Sequence, residues 1–526
     1  MSAARGRLVV MPMLAFITTA LVLAGTPQDV PAPQGSIHAA HAKAGLKPRR
    51  AASPPPPAPL GGPDVWVYGY LPYWVDGVDA VPWDHVTHVA FFDVGLNSDG
   101  SLSSTSRWTS IAQELVSTAH GQGVKVHLTL TCFDDDVMDA ILPSATQRAK
   151  VVQNVVNLVD AYDADGVSVD FEGMSASNRD GLVNLVAELG VAVDEVTVAT
   201  PAVDWSGAYD YDALAAASDA LFIMGYDYHW SGGDPGPVAP LYGGDPWSKY
   251  SIDWTIEDYI TYGGPPERIL LGLPLYGKVW PTTNNTVPGS ATADADSITM
   301  ADAIDEVDAY GRLYESLTES PYYFPSSKSQ AWYDDEQSLR AKVRYAVDEG
   351  LLGVGFWALG YDNGDASFWA MMAEETTLDD PSGDDDSGDP SGDDTGDPVE
   401  EGGLRARAGQ DFMAYVGQTV ILNGRAQGTD EPSFAWTQVS GPGVNLSGID
   451  TAQPSFDAVL AGTFTFELVV GDGETLSAPD TVSVVVTSAE GGLCGLGSGA
   501  GGGLVAAVSV ALAASRRRRV TRASVC

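Results

Sequence analysis

An α/β fold, a closed (β/α)8 TIM barrel with a small insertion before its last strand and an immunoglobulin-like β-sandwich after it, is what these 526 residues predict. Between residues 64 and 375, eight nearly continuous apolar, β-branched runs alternate with helical patterns, as strands covered by crossover helices do. The interval from 278 to 352, ahead of the eighth run, is too long for one crossover helix and therefore holds an inserted subdomain. Beyond residue 404 the texture changes to short segments alternating apolar and polar residues between Gly, Asp and Pro, the pattern of a sandwich. An open doubly wound sheet is the alternative for the first region.

The chain begins with Arg5 and Arg7, an apolar run over 9–25 and small residues around Ala24, so residues 1–25 read as a secretory signal peptide and the remainder as exported. Residues 26–63, rich in Pro and Ala, read as a disordered spacer because they offer too little apolar surface to order themselves. Barrel strands follow at 65–71, 86–94, 124–130, 166–172, 195–202, 220–227, 268–277 and 353–360, with helices among them at 111–122, 147–162 and 338–349. Residues 376–403 form an acidic linker that self-repels and stays extended. The sandwich, 404–488, takes strands at 418–424, 433–439, 462–470 and 480–486. Residues 493–515 run for 23 positions without a charge and meet Arg516 to Arg519. A helix there would span roughly 34 Å at about 1.5 Å per residue, so the segment 489–526 is expected to sort or anchor the protein, with the arginines on the cytoplasmic side.

The formal net charge of -43 makes attraction to nucleic acid or anionic lipid a poor expectation; a neutral partner fits better. The segment 374–401 holds 13 acidic residues and no Lys or Arg, which is under a third of the excess, so the folded parts are acidic as well. Cys132, Cys494 and Cys526 are too few and too scattered for a disulfide framework. His85 and His88 in HVTH resemble a metal pair, but the first is expected to begin the second strand and no third ligand follows in sequence. No phosphate-binding loop, HExxH or GxSxG is present, so no cofactor and no metal is implied, and a monomer is expected.

The fourth predicted strand carries the chemistry. In DGVSVDFE, 165–172, successive side chains alternate faces, so Gly166, Ser168, Asp170 and Glu172 share one face and Val167, Val169 and Phe171 the other. The apolar row suits the surrounding helices, which turns the polar row into the barrel and brings Glu172, last in it, to the C-terminal mouth where barrel active sites lie. Burying acids costs several kcal/mol unless they are paired or protonated, an arrangement that makes sense where a raised pKa is wanted for a general acid. Asp165 has the other parity and is expected to be structural.

DGVSVDFE resembles the DxxDxDxE signature of family-18 glycoside hydrolases, and YGYLPYW, THVAFF, MGYDYHW, ILLGLPLYG and GVGFWALGYD follow that family in order across 64–375. The resemblance implies cleavage of β-1,4 linkages beside N-acetylglucosamine in chitin or peptidoglycan, with retention, the substrate's own acetamido oxygen acting as nucleophile. It implies Glu172 as general acid and then base, Asp170 as acceptor of the acetamido N–H, and Tyr226 as donor to the acetamido oxygen. Asp227, Met224 and Tyr70 would contact the sugar, and Trp357 would form an apolar floor beneath it. Ser168 stands where the family usually has an aspartate; a hydroxyl can hydrogen-bond Asp170 but supplies no like charge to raise its pKa. The third strand lacks the usual Ser-x-Gly-Gly ending near Thr131 and Cys132. A family-18 carbohydrate-binding, lectin-like surface protein is the alternative, which the carboxylate at Glu172 disfavours. The 404–488 region resembles a PKD-type domain, and the closing segment resembles a MYXO-CTERM sorting tail.

Overall fold

The structure, a computed structural model, describes residues 35–49, 63–377 apart from Asp64 and Asp76, and most of 404–487. Residues 1–25, expected as a signal peptide, nearly all of the acidic linker, and the segment 489–526, expected as a sorting tail, lie outside the described residues. Among the described residues no helix is long and apolar enough to cross a membrane.

Eight strands close into a parallel barrel: β1 Trp66–Pro72, β2 His88–Leu96, β3 Lys125–Cys132, β4 Gly166–Phe171, β5 Glu195–Pro201, β6 Ala220–Met224, β7 Ile269–Pro274 and β8 Gly353–Trp357. Each pairs with its sequence neighbours, and β8 returns to β1, so no strand edge is left open. The helices run at 112–121, 145–160 and 336–348 where the periodicity expects them. Asp165, at the foot of β4, accepts from the Val126 N–H at 2.7 Å and lies 2.9 Å from His120 Nε2, tying that strand to β3 as the structural role requires.

Close approach of backbones fixes the bottom of β4. A Cβ at Gly166 would stand 2.3 Å from the Glu195 carbonyl oxygen on β5. Gly166→Ala should therefore destabilise the barrel by about 1–3 kcal/mol through overpacking, read as a lower midpoint in denaturant unfolding; an unchanged midpoint would show that β5 moves aside freely.

The seventh run is shorter than expected. Pro274 offers no N–H, and the Leu275 N–H bonds the Trp357 carbonyl at 2.8 Å, ending β7 and turning the chain into Tyr276–Pro281. That segment opens the insertion, a five-stranded antiparallel sheet with Asp296–Thr299, Ser329–Trp332, Ser320–Ser326 and Leu313–Glu315, covered by the helix Met300–Tyr310. The C-terminal unit has a four-stranded sheet of Phe412–Tyr415, Asp480–Thr487, Gly462–Gly471 and Ser433–Ser440, and two two-stranded ribbons. They close on a core that includes Trp436, Phe456, Phe466 and Leu468.

Part of the 26–63 segment, expected to be disordered, is ordered in the structure. Ile37–Ala44 forms a helix, α1, inside it. Ser36 Oγ accepts from the Ala39 N–H at 3.0 Å, and Gly45 at φ 60° closes the other end, its N–H reaching the Ala42 carbonyl and the Leu46 N–H that of His41. Composition misleads here because the partners that order this stretch lie elsewhere in the chain: Ile37 and Leu46 pack on the barrel, and His38 and His41 are buried in it.

Candidate active site

The inner row of β4 faces the barrel interior. Ser168 is fully buried, and its hydroxyl lies 2.8 Å from that of Tyr70 on β1. It therefore does not bond Asp170, as the sequence alone allowed. Asp170, also fully buried, sits one step higher. Glu172 lies just past the strand end, its N–H bonded to the Cys132 carbonyl at 3.0 Å and its side chain still 14% exposed, so it is held by backbone yet open to the cleft.

Burial pushes the Asp170 carboxyl up; the charge of His38 opposes this, Glu172 and Asp93 add to it, and the value stands at about 6. The missing inner aspartate is thus not needed to raise Asp170. Asp93, at the mouth end of β2, accepts from Thr131 at 2.7 Å and from Arg107 at 2.5 Å, so Thr131 serves to fix this second acid. Cys132 is buried, which pushes its thiol up to about 11 and leaves it an inert packing group.

The remaining predicted residues converge on the same mouth. Met224 ends β6, and Tyr226 and Asp227 follow it, Asp227 at φ 58°. Tyr276 donates to Asp227 Oδ1 at 2.6 Å and Lys278 Nζ lies 3.2 Å away, so the insertion's first strand orients this carboxylate. Trp357, the last residue of β8, is fully buried, with its ring 5.7 Å from that of Tyr70. Unshared in this array is one buried oxygen, Asp170 Oδ1, which has no hydrogen-bond partner among the described residues.

Asp170 Oδ2, Glu172, Tyr226 and Trp357 are engaged by α1 and its N-cap. His38 stacks on Trp357 with ring centroids 3.8 Å apart; its Nδ1 lies 2.7 Å from Asp170 Oδ2 and its Nε2 2.9 Å from the Tyr226 hydroxyl. Ser36 Oγ donates to Glu172 Oε1 at 2.5 Å. Trp357 Nε1 donates to His41 Nδ1 at 2.9 Å, and His41 Nε2 meets Ser297 Oγ at 3.0 Å.

A cavity of about 300 Å³ continues the cleft, lined by Glu172, Met224, Tyr226, Asp227, Tyr209 and Trp205 among others. Sequence reasoning missed Trp205 and Tyr209. Trp205 is 45% exposed and edges against Tyr250 at 4.9 Å, a shelf that suits a sugar's C–H face. Tyr209 donates to the Phe171 carbonyl at 2.5 Å and so braces the end of β4. Both sit on the loop after β5, in a stretch whose sequence has no period to flag them.

Two groups of described residues bring three possible metal ligands together: His38 with Asp170 and Glu172, and His88 with His127 and Glu195 at the opposite end of the barrel. In HVTH the placement of His85 needs correcting: it lies in the short turn Trp83–His85, and β2 begins at His88. It is His88, not His85, that meets His127 from β3 and Glu195 from β5. Burial pushes the Glu195 carboxyl up, but hydrogen bonds from His127, His88 and Lys125 outweigh it and hold the group well below the usual carboxylate range. With Thr87 on His88 Nδ1 at 2.8 Å and Tyr68 on His127 Nδ1 at 3.1 Å, this cluster forms a satisfied polar floor beneath the barrel.

The sequence profile described as Glycosyl hydrolases family 18 matches residues 67–362, more than half of the chain and every barrel strand but the first residue of β1. The chain belongs to family 18. A second profile, that of a PKD domain, matches residues 408–486. Among curated proteins the chain is 29% identical over 248 residues to YdhD of Bacillus subtilis (strain 168), which carries the name of a sporulation-specific glycosylase; the match spans 44% of this chain and 56% of that one. It is 22% identical over 318 residues to the cortical fragment-lytic enzyme of Bacillus anthracis, spanning 56% of this chain and 69% of that one. To the di-N-acetylchitobiase of Mus musculus it is 28% identical over 311 residues, spanning 51% and 81%. The fold is shared with a family-18 chitinase from Cycas revoluta solved with (GlcNAc)4, at a TM-score of 0.55 and 22% identity over 59% of this chain and 99% of that one.

Proposed function

We propose that this family-18 protein hydrolyses β-1,4 linkages in a GlcNAc-containing polysaccharide, chitin or peptidoglycan, by substrate-assisted retaining catalysis. The observation that carries the reading is the convergence of Asp170, Glu172, Tyr226 and Trp357 at one barrel mouth, with Asp170 Oδ1 unpartnered among the described residues. In the proposed reaction Glu172 gives its proton to the glycosidic oxygen as the bond to C1 breaks, while the acetamido oxygen attacks C1 from the other face. The product of that step is a planar oxazolinium. Asp170 accepts the acetamido N–H and offsets the ring's positive charge, and Tyr226 donates to the acetamido oxygen before attack. Water, deprotonated by Glu172, then opens the ring at C1 with net retention. The names of two curated relatives support the two substrate sources: one is a di-N-acetylchitobiase and the other a cortical fragment-lytic enzyme.

Export through 1–25 and sorting or attachment through 489–526 belong to the same proposal, the PKD-type unit acting as an accessory outside the reaction. The test uses the full chain carrying His38→Ala and His41→Ala, which clears the imidazoles from the mouth. Incubation with chitin oligomers and with peptidoglycan should release fragments whose masses correspond to cleavage beside GlcNAc. Absence of product from both would reject hydrolysis.

A further inference from the structure

We propose that residues 36–49 are a tethered inhibitor of this cleft, with the His38 ring seated where the oxazolinium ring of the bound sugar would form. The inference rests on the hydrolytic reading above. Each proposed role has a counterpart in the contacts of α1. The floor for the sugar, Trp357, carries His38 stacked at 3.8 Å. The acceptor for the acetamido N–H, Asp170, faces His38 Nδ1 at 2.7 Å, and the donor to the acetamido oxygen, Tyr226, faces His38 Nε2 at 2.9 Å. The acid itself, Glu172, accepts from Ser36.

The chemistry of the ring makes the coincidence specific. An oxazolinium is a flat five-membered ring whose positive charge spreads over an N–C–O unit. A protonated imidazole is a flat five-membered ring with its charge over N–C–N. Burial would depress His38, but the charges of Asp170 and Glu172 outweigh it and push the ring up to about 10, the direction that favours a cation facing the Asp170 carboxyl at 2.7 Å. His41, one turn on, differs. Burial together with the charges of Lys278 and His38 keeps it well below its ordinary value, and the N–H of Trp357 directed at its Nδ1 requires the neutral form. The cleft thus holds two imidazoles in different settings, one with Nδ1 against a carboxylate and the other with Nδ1 accepting from an indole N–H. The ligand class it accepts is a small planar cyclic amidinium.

Further contacts fasten the segment. Trp74 Nε1 donates to the Leu46 carbonyl at 2.9 Å, the Arg49 N–H reaches Asp302 at 3.0 Å, and its guanidinium meets Glu306 at 2.7 Å. An eight-residue helix does not persist alone in water, so α1 owes its order to the cleft. In sequence Arg49 is followed by Arg50 and then Pro54 to Pro57, so a cut after the basic pair separates the segment from the barrel without touching β1.

Hydrogen exchange on the full chain tests the docking without any substrate. Amides of residues 39–46 should exchange at least about 10²-fold more slowly than an unstructured peptide, and His38→Ala with His41→Ala should abolish that protection while barrel amides keep theirs. The same double variant should show at least about tenfold higher kcat/KM on a fluorogenic GlcNAc oligomer, because the competent, open fraction rises. Unprotected amides in the wild-type chain, or lost protection with turnover unchanged, would overturn the inhibitor. Protection lost in the variant, with no turnover in either chain, would uphold the docked helix and reject the hydrolytic reading together with the inhibitory role built on it.

Discussion

Glu172→Gln, made in the chain that also carries His38→Ala and His41→Ala, should lower turnover of GlcNAc oligomers by about 10²–10⁴ while leaving thermal unfolding in place. The amide has nearly the shape of the carboxyl but gives up no proton to a leaving oxygen. The backbone holds this residue through the Glu172 N–H to the Cys132 carbonyl, and the side chain is partly open to the cleft, so the fold does not depend on its charge. Affinity for an uncleaved oligomer, read by quenching of tryptophan fluorescence, should change little. Unchanged turnover would place the proton donor elsewhere in the cleft.

Asp170→Asn in the same background should cost about 10²–10³ in kcat with a smaller change in KM, because the lost charge opposes a cation that exists only along the reaction path. An asparagine oxygen still accepts an N–H, so ground-state binding survives. In the wild-type chain the substitution acts twice and in opposite senses. It weakens catalysis, and it also removes the charge facing His38 Nδ1, which loosens α1 from the mouth. Comparing the two backgrounds separates these effects: exchange of residues 39–46 should quicken in Asp170→Asn whether or not any substrate turns over. A fall in affinity equal to the fall in rate would mean that Asp170 merely binds the sugar.

Much of this site was legible because a strand's alternation is a strict geometric rule. Once GVSVDFE was placed on the fourth strand, the parity of Ser168, Asp170 and Glu172 and the arrival of Glu172 at the mouth followed. The eighth-strand position of Trp357 followed from the order of the apolar runs. Contacts between distant segments were not legible. Ser168 chose Tyr70, on the opposite side of the barrel, over Asp170 two residues away, since alternating positions on one strand are a full repeat apart. Asp93 adds to the charge around Asp170 from a different strand. His88, His127 and Glu195 meet only because three strands begin at one level of the barrel. The helix in the 26–63 segment was hidden for a related reason. Its composition predicts no core of its own, and it has none; it borrows the barrel's. The Pro-free stretch between Pro33 and Pro48, with Ser36 and Gly45 at helix-capping distance, was the available sign.

The most direct measurement of the central claim is the anomeric form of the first sugar released. With the His38→Ala, His41→Ala chain and a GlcNAc oligomer, proton NMR in the first minutes, before mutarotation, should show the β-anomer at the new reducing end, and an oligomer lacking N-acetyl groups should not be cleaved. The α-anomer, or equal cleavage of the deacetylated oligomer, would contradict substrate-assisted retention at Asp170 and Glu172.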